Sequence, residues 1–271
     1  MLKLNMTVPA IIRKTLFPFL GLFGYRVAPV SNLVAVENFL ASLHPVQFEL
    51  IRVGSEGDGG YVIPNDLNGI TACFSPGVSN NSEFELDLAH RGIPSFLADF
   101  SVSSPSVENR NFSFLKKFVG PVTNDNFVEF ENWVTSNSKE KDELILQMDI
   151  EGYEYSSLLS CDFEVLKRFR ILVIEFHGMD LLFDSFGFQL IEDCFKKILK
   201  EFVVVHIHPN NNDPVRRIRG CEVPSLMEFS FLRRDRISKF EYVRIFPNSL
   251  DRPTVPNKKD IVLPQNWYKA I

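Results

Sequence analysis

The chain has 271 residues, of which 45% are hydrophobic and 23% charged, and its formal net charge at pH 7 is −5. That length allows one large domain with a sizeable core, and the composition is ordinary for a globular protein. The acidic balance and the lack of a basic stripe argue against a nucleic-acid partner, and the lack of a CxxC pair argues against a zinc knuckle.

Residues 1–45 are predicted to form a helical lead-in, and residues 46–271 the main domain. The apolar run within residues 11–25 is shorter than the roughly 20 residues that cross a bilayer, and it has no clear small-x-small cleavage site. Two interpretations stay open: a helix that packs on the domain, or a helix that makes peripheral contact with a membrane. The four cysteines lie in apolar patterns, as reduced core thiols do, so we expect a cytoplasmic protein, with any membrane contact at the inner face.

From about residue 46, patterns typical of strands and helices alternate. ELILQMDI and RILVIEFHG are nearly continuous apolar runs, as in parallel strands that helices cover on both faces. The alternation predicts a doubly wound, mostly parallel α/β sheet, and the connection without a helix before the last strand predicts one antiparallel strand. The predicted strands are ITACFSP, PSFLADFS, FSFLKKFVG, ELILQMDI, RILVIEFHG, FVVVHIHP and SLMEFSFLRR, and the predicted helices include NSEFELDLAHRG, NFVEFENWV and FQLIEDCFKKILKEF.

The loop SPGVSNNS after the first of these strands predicts a nucleoside site. It leads into a helix whose start carries a capping-box pattern, Ser82 with Glu85. Asp99 ends the second strand 22 residues after Gly77, near the spacing at which an acid binds ribose hydroxyls. The loop has one glycine and no GxGxxG, which disfavours the pyrophosphate of NAD and favours S-adenosylmethionine, with Ser75 as a further contact. The alternative is that Asp99 is a helix cap or a solvated strand end.

Two later strands end in pairs of polar residues. Asp149 and Glu151 follow ELILQM, and Glu175 and His177 end RILVIEFH. Members of each pair are two residues apart, so their side chains point to the same face of the sheet. His208 lies at the end of the next strand. Such a cluster suits a general base, a divalent ion or both; magnesium or manganese would fit better than zinc, and we assign no particular metal ligands.

The segment RVGSEGDGGYVIP, residues 52–64, is rich in glycine and precedes the first strand of the sheet. Its Asp-Gly pair is a strong hairpin-turn signal. The alternative is a lid that folds over the cofactor, with contacts from Asp58, Gly59, Gly60 and Tyr61.

The stretch LQMDIEGYEYSSL resembles the signature of FkbM-type methyltransferases, in which a strand ending in Asp-(Ile/Val)-Glu-Gly precedes a helix that opens with Glu, here Glu154. DGGYVIP and HIHPNNN are similar to a bacterial branch associated with sugar methylation in surface glycans. The resemblance implies the class I methyltransferase fold, a seven-stranded sheet of order 3-2-1-4-5-7-6 whose seventh strand is antiparallel. The chain departs from the class at SPGVSNNS, which has no acid at the strand's end and one glycine.

The resemblance further implies an S-adenosylmethionine-dependent O-methyltransferase that modifies a sugar hydroxyl of a small-molecule or glycan acceptor. Asp149 would then lie beside the methionine part of the cofactor and the acceptor. The acceptor pocket would hold Glu151, Glu175, His177 and His208, with either histidine as the general base.

Two other functions stay open. A Rossmann enzyme acting on nucleotide sugars would need a phosphate-binding glycine turn and usually a Tyr/Lys pair, neither of which is recognisable. A non-catalytic glycan-binding protein on a methyltransferase fold would explain the missing glycine-rich turn, but it would not explain the polar cluster at the strand ends.

Overall fold

The computed structural model describes residues 10–24 and 27–268. Its strands are β1 (Leu50–Gly54), β2 (Gly60–Pro64), β3 (Ala72–Pro76), β4 (Ser95–Ala98), β5 (Phe112–Leu115), β6 (Phe118–Gly120), β7 (Phe127–Glu129), β8 (Leu144–Met148), β9 (Phe169–His177), β10 (Phe202–Pro209), β11 (Val215–Ile218), β12 (Cys221–Pro224) and β13 (Leu226–Arg233). Its α-helices are α1 (Ala10–Gly21), α2 (Leu33–Ser42), α3 (Glu83–His90), α4 (Phe130–Asn137), α5 (Glu154–Ser160), α6 (Phe163–Leu166) and α7 (Ser185–Ile198).

Seven strands form the central sheet in the order β10-β13-β9-β8-β3-β4-β5. The pairs from β9 to β5 are parallel, and β13 is antiparallel to both of its neighbours. Numbered along the chain within this sheet, the order is 3-2-1-4-5-7-6 with the seventh strand antiparallel. The predicted doubly wound fold and its antiparallel last strand are confirmed, and the arrangement is that of the class I methyltransferase fold.

Alternate residues of the buried strands enter two different hydrophobic cores. Leu144 and Leu146 of β8 pack with helices α2, α4, α5 and α7, whereas Ile145 packs on the opposite face with α3 and the hairpin β1–β2. Because both faces are covered, β8 has no solvent-exposed face, which explains its nearly continuous apolar sequence. The carboxyl ends of β3, β4, β8 and β9 consequently lie along one edge, where open α/β sheets bind ligands.

Two local predictions need correction, and one hairpin was not predicted. FSFLKKFVG is two strands: β5 joins the sheet, while β6 pairs with β7 in a separate two-stranded sheet. The connection before β13 holds the hairpin β11–β12. Ser82 occupies the N-cap position of α3 but makes no side-chain cap hydrogen bond; its hydroxyl instead accepts from the Ser106 N–H at 3.2 Å, and Glu85 turns inward to Ser75.

Helices α1 and α2 lie within the span predicted as a helical lead-in. None of the described side chains of α1 is buried, whereas α2 buries Val36, Phe39 and Leu40 in the core beside the sheet. Within residues 10–24 and 27–268, no helix is both long and apolar enough to cross a membrane.

Candidate active site

The site begins at the loop after β3, where only glycine fits. Gly77 has a φ of +87°, and a Cβ there would lie 1.6 Å from the carbonyl oxygen of Asp149. Its N–H donates to the carbonyl of Ala98 at 2.9 Å, and the Asp149 N–H donates to the carbonyl of Pro76 at 3.2 Å. These contacts draw the ends of β3, β4 and β8 together around one point.

Asp99, directly after β4, is held rigidly at this point. Its Oδ2 accepts from the Ser79 N–H at 2.8 Å, and its Oδ1 accepts from the N–H and the hydroxyl of Ser101, each at 2.7 Å. It lines a cavity of about 470 Å³ with Phe118, Phe127 and other residues. The rings of Phe118, Phe127 and Tyr153 follow one another along this cavity, with centroids 5.4 and 5.0 Å apart. An acid beside aromatic faces suits a sugar joined to a flat ring.

A second cavity, of about 310 Å³, shares Gly77, Ser79 and Asp149 with the first. The tip of the β1–β2 hairpin borders it through Asp58, Gly59 and Tyr61. The hairpin touches the loop after β3, because Asn81 Nδ2 donates to the carbonyl of Asp58 at 2.7 Å. The segment 52–64 is therefore a hairpin that also walls the cavity. Gly60 serves the turn itself, since a Cβ there would lie 1.9 Å from the Ser55 carbonyl oxygen.

Ser75 does not reach either cavity. It is completely buried, and its hydroxyl contacts Glu85 Oε1 and, at 2.6 Å, Gln147 Oε1. Gln147 in turn donates to the Tyr61 hydroxyl at 3.2 Å. Glu85, which the sequence suggested only as a helix cap, lines the second cavity. Burial raises the pKa of Glu85 to about 7, against a smaller lowering by Ser75.

His177, the last residue of β9, stands at the centre of the acidic cluster. Its Nδ1 lies 3.1 Å from Glu154 Oε1, and its Nε2 lies 3.3 Å from Glu151 Oε2. The same Nε2 is 3.9 Å from Asp149 Oδ1 and 3.9 Å from Glu175 Oε1. The structure thus brings four of the predicted catalytic residues together, with one imidazole among four carboxylates.

Glu154 was not assigned to the site from the sequence, although it opens the predicted helix. Its side chain is fully buried, and Oε1 accepts from the N–H groups of Ile150 and Gly152, both at 3.1 Å. Glu151 and Gly152 form the turn between, with φ of +55° and +97°. The DIEG turn therefore places Glu154 beneath His177 and leaves Glu151 exposed on the other side. A glutamate at the start of a helix was the available signal.

Charge crowding shifts the acid–base equilibria of the cluster. The pKa of Asp149 and that of Glu175 are raised well above their usual range, first by burial and then by neighbouring carboxylates. Burial lowers the pKa of His177, but its hydrogen bond with Glu154 and the charges of Glu154 and Asp149 outweigh burial and raise it. The cluster therefore favours additional positive charge.

Asp149, Glu151 and His177 also fit a metal ion, because one ligand atom from each lies within 4.8 Å of the others. They are the one such group of three or more in the described part of the chain. Two carboxylates and one imidazole nitrogen suit magnesium or manganese.

His208 is not brought to this cluster. It lies on β10, which β13 separates from β9, and its Nε2 is 3.2 Å from Asp260 of the C-terminal segment. Burial lowers the pKa of His208, but Asp260 and Glu228 raise it to about 10. A histidine held protonated in this way fastens the C-terminal segment and cannot accept a proton near neutral pH.

No family model and no curated protein matches the chain. Among solved structures, a fibrillarin/Nop5p complex is similar over 62% of this chain and 74% of that chain, with 13% sequence identity and a TM-score of 0.36. A likeness of this size says nothing about activity. The class I methyltransferase fold is instead defined by the strand order of the sheet, with a site at the carboxyl ends of its strands.

Proposed function

We propose that the protein is an S-adenosylmethionine-dependent O-methyltransferase that modifies a sugar hydroxyl of a surface glycan or its precursor. One observation carries the proposal: two cavities meet at Asp149, on the ligand-binding edge of a sheet with the class I methyltransferase strand order. S-adenosylmethionine supplies an electrophilic methyl group on a sulfonium when bound.

The residues present fit that cofactor better than a dinucleotide. The 470 Å³ cavity offers Asp99 to ribose hydroxyls and aromatic faces to adenine. The 310 Å³ cavity is lined by Asp58, Glu85 and Asp149, and no Lys, Arg or His is among its described lining residues. Such a surface attracts the sulfonium and ammonium groups of S-adenosylmethionine and repels a pyrophosphate. This charge distribution weighs against the nucleotide-sugar-modifying Rossmann enzyme.

The proposed catalytic base is His177. Glu154 fixes Nδ1, so that Nε2 faces Asp149 and Glu151 at the edge of the cavity. A base in this place can take the proton of an acceptor hydroxyl when its own imidazole is neutral. Because the pKa of His177 is raised, the neutral imidazole forms at higher pH than usual. The alternative for the same side chains is a divalent ion held by Asp149, Glu151 and His177, which would lower the pKa of a hydroxyl bound to it.

The exposed rim of the site supports a sugar acceptor. The side chain of Glu151 is 87% exposed. Carboxylates accept hydrogen bonds from sugar hydroxyls.

Calorimetric titration with S-adenosylmethionine, S-adenosylhomocysteine and NAD tests the cofactor, and transfer of labelled methyl to a panel of sugars and glycans tests the reaction. We expect both adenosyl ligands to bind and NAD not to bind. Asp99→Ala should weaken adenosyl binding by roughly 1–3 kcal/mol, the usual cost of losing a hydrogen bond to a charged group. Binding of NAD alone would favour the Rossmann enzyme. Glycan binding without transfer to any acceptor would favour the non-catalytic protein.

Removal of metal ions distinguishes the two proposed roles of His177, as a general base or as a metal ligand. If His177 is the base, turnover should survive exhaustive chelation, and added manganese should change it little. If Asp149, Glu151 and His177 hold a catalytic ion, chelation should abolish turnover and manganese or magnesium should restore it. Methyl transfer before and after treatment is the measurement, and cofactor binding measured in parallel shows that the fold survives.

A further inference from the structure

Two acidic residues that line the 310 Å³ cavity each have a buried carboxylate oxygen without a hydrogen-bond partner. Glu85 is 2% exposed, and its Oε2 has no hydrogen-bond partner among the described residues; nor has Oδ1 of Asp149. Buried polar atoms without any partner are rare in folded proteins, so each one calls for a ligand, an ion or a water molecule as its partner. They belong to different elements, α3 and the end of β8, and both border the same space.

The Ser75 hydroxyl is shared between Glu85 and Gln147. The Ser75 hydroxyl has a single proton, yet it contacts two acceptors, Oε1 of Glu85 and Oε1 of Gln147. A proton on Glu85 would satisfy both contacts, because Glu85 would donate to Ser75 and Ser75 to Gln147. The pKa of Glu85, raised by burial to about 7, agrees with this arrangement. A cationic ligand would fill the same need from the cavity side.

We propose that Glu85 binds an ammonium group of the ligand in this cavity, together with Asp149, and thereby selects a ligand that carries an α-amino group there. An ammonium offers three donors, enough for one hydrogen bond to each of the two carboxylates. Asp58 adds negative charge to the same wall. The inference rests on the proposed function, in which this group is the amino end of the methionine part of S-adenosylmethionine. Helix α3 would thus supply the acid that binds the ammonium group, because the end of β3 carries Ser75 and no acid.

The test compares three nucleosides by calorimetry: S-adenosylhomocysteine, its analogue without the α-amino group, and methylthioadenosine, which lacks the whole amino-acid part. Wild type should bind S-adenosylhomocysteine more tightly than the analogue. Glu85→Gln should weaken S-adenosylhomocysteine about tenfold to a hundredfold and leave the analogue and methylthioadenosine unchanged, because only the contact of ammonium with carboxylate is lost. Glu83→Gln, on the same helix but exposed, is the matched control and should change none of the three.

Equal weakening of all three nucleosides by Glu85→Gln, or no weakening, would overturn the proposal. If that variant does not fold, wild type decides alone: equal affinity for S-adenosylhomocysteine and the analogue would also overturn it. Glu85→Asp, which keeps the charge, should retain part of the preference. Failure of wild type to bind any of the three nucleosides would instead refute the proposed function, which separates the two outcomes.

Discussion

At the scale of single residues, the decisive contact is that of Glu154 with His177. We expect Glu154→Gln to move the acidic limb of the pH profile of kcat/KM to lower pH. Glutamine keeps an oxygen for the N–H groups of Ile150 and Gly152 but loses the charge that raises the pKa of His177. Methyl transfer measured across pH is the test.

Glu164→Gln is a control for this experiment, since Glu164 is exposed and paired with Lys167. It should leave the profile in place. A uniform loss of activity in Glu154→Gln, with no shift of the limb, would mean that Glu154 acts on the fold and that His177 is not the titrating base.

Asp149→Asn should lower turnover about a hundredfold or more, the usual scale for losing an electrostatic or acid–base group. It should also raise the thermal midpoint near neutral pH. The raised pKa of Asp149 means that its ionised form is unfavourable in the folded state, and an amide removes that charge.

Glu151→Gln is the comparison for Asp149→Asn, because the Glu151 side chain is 87% exposed and its charge should affect the midpoint less. Methyl transfer and thermal unfolding are measured on both variants. Earlier melting together with near-normal turnover would show that these acids cap α5 and are not catalytic.

At the scale of elements, α2 belongs to the core of the sheet, although the sequence places it in the lead-in. Leu40 is completely buried, whereas Val34 on the same helix is 64% exposed. We expect Leu40→Ala to lower the free energy of unfolding by about 2–5 kcal/mol, and Val34→Ala to change it by no more than about 0.5 kcal/mol. Denaturant unfolding followed by two probes checks this. A separate early transition of residues 1–45 would contradict the packing.

At the scale of the whole molecule, the shifted pKa values predict greater stability at mildly acidic pH than at alkaline pH. Glu85 has a folded pKa of about 7, above its ordinary value, so folding favours its protonated form and stability falls as pH rises towards 7. His208 has a folded pKa of about 10, so the stability it contributes is complete below about 6.5 and is lost as pH rises through 10.

Thermal midpoints from pH 4 to pH 10 test this prediction, and we expect the maximum below pH 7. Glu85→Gln should flatten the slope between about pH 4.5 and 7, whereas Glu83→Gln should not. A midpoint that rises steadily from pH 5 to pH 8 in wild type would contradict the protonation states assigned to Glu85 and His208.

The fold class could be predicted from the sequence alone. Strands that are buried on both faces need apolar residues at nearly every position, as in ELILQM and ILVIEF. This requirement is visible in the sequence of each strand. The convergence of Asp149, Glu151, Glu175 and His177 was also predictable, because each pair follows a strand and strand ends of a parallel sheet share one edge.

Only the tertiary structure decided which polar residues meet. His208 ends a strand like the others, but β13 inserts between β10 and β9, so its partner is Asp260, 52 residues further along the chain. Glu85 has the spacing of a helix cap, yet its side chain points inward because the Ser75 hydroxyl offers a hydrogen bond beneath it. Spacing along the chain fixes the face on which a side chain lies. Partners from distant segments fix its hydrogen bonds and its charge, because those interactions depend on distance in space.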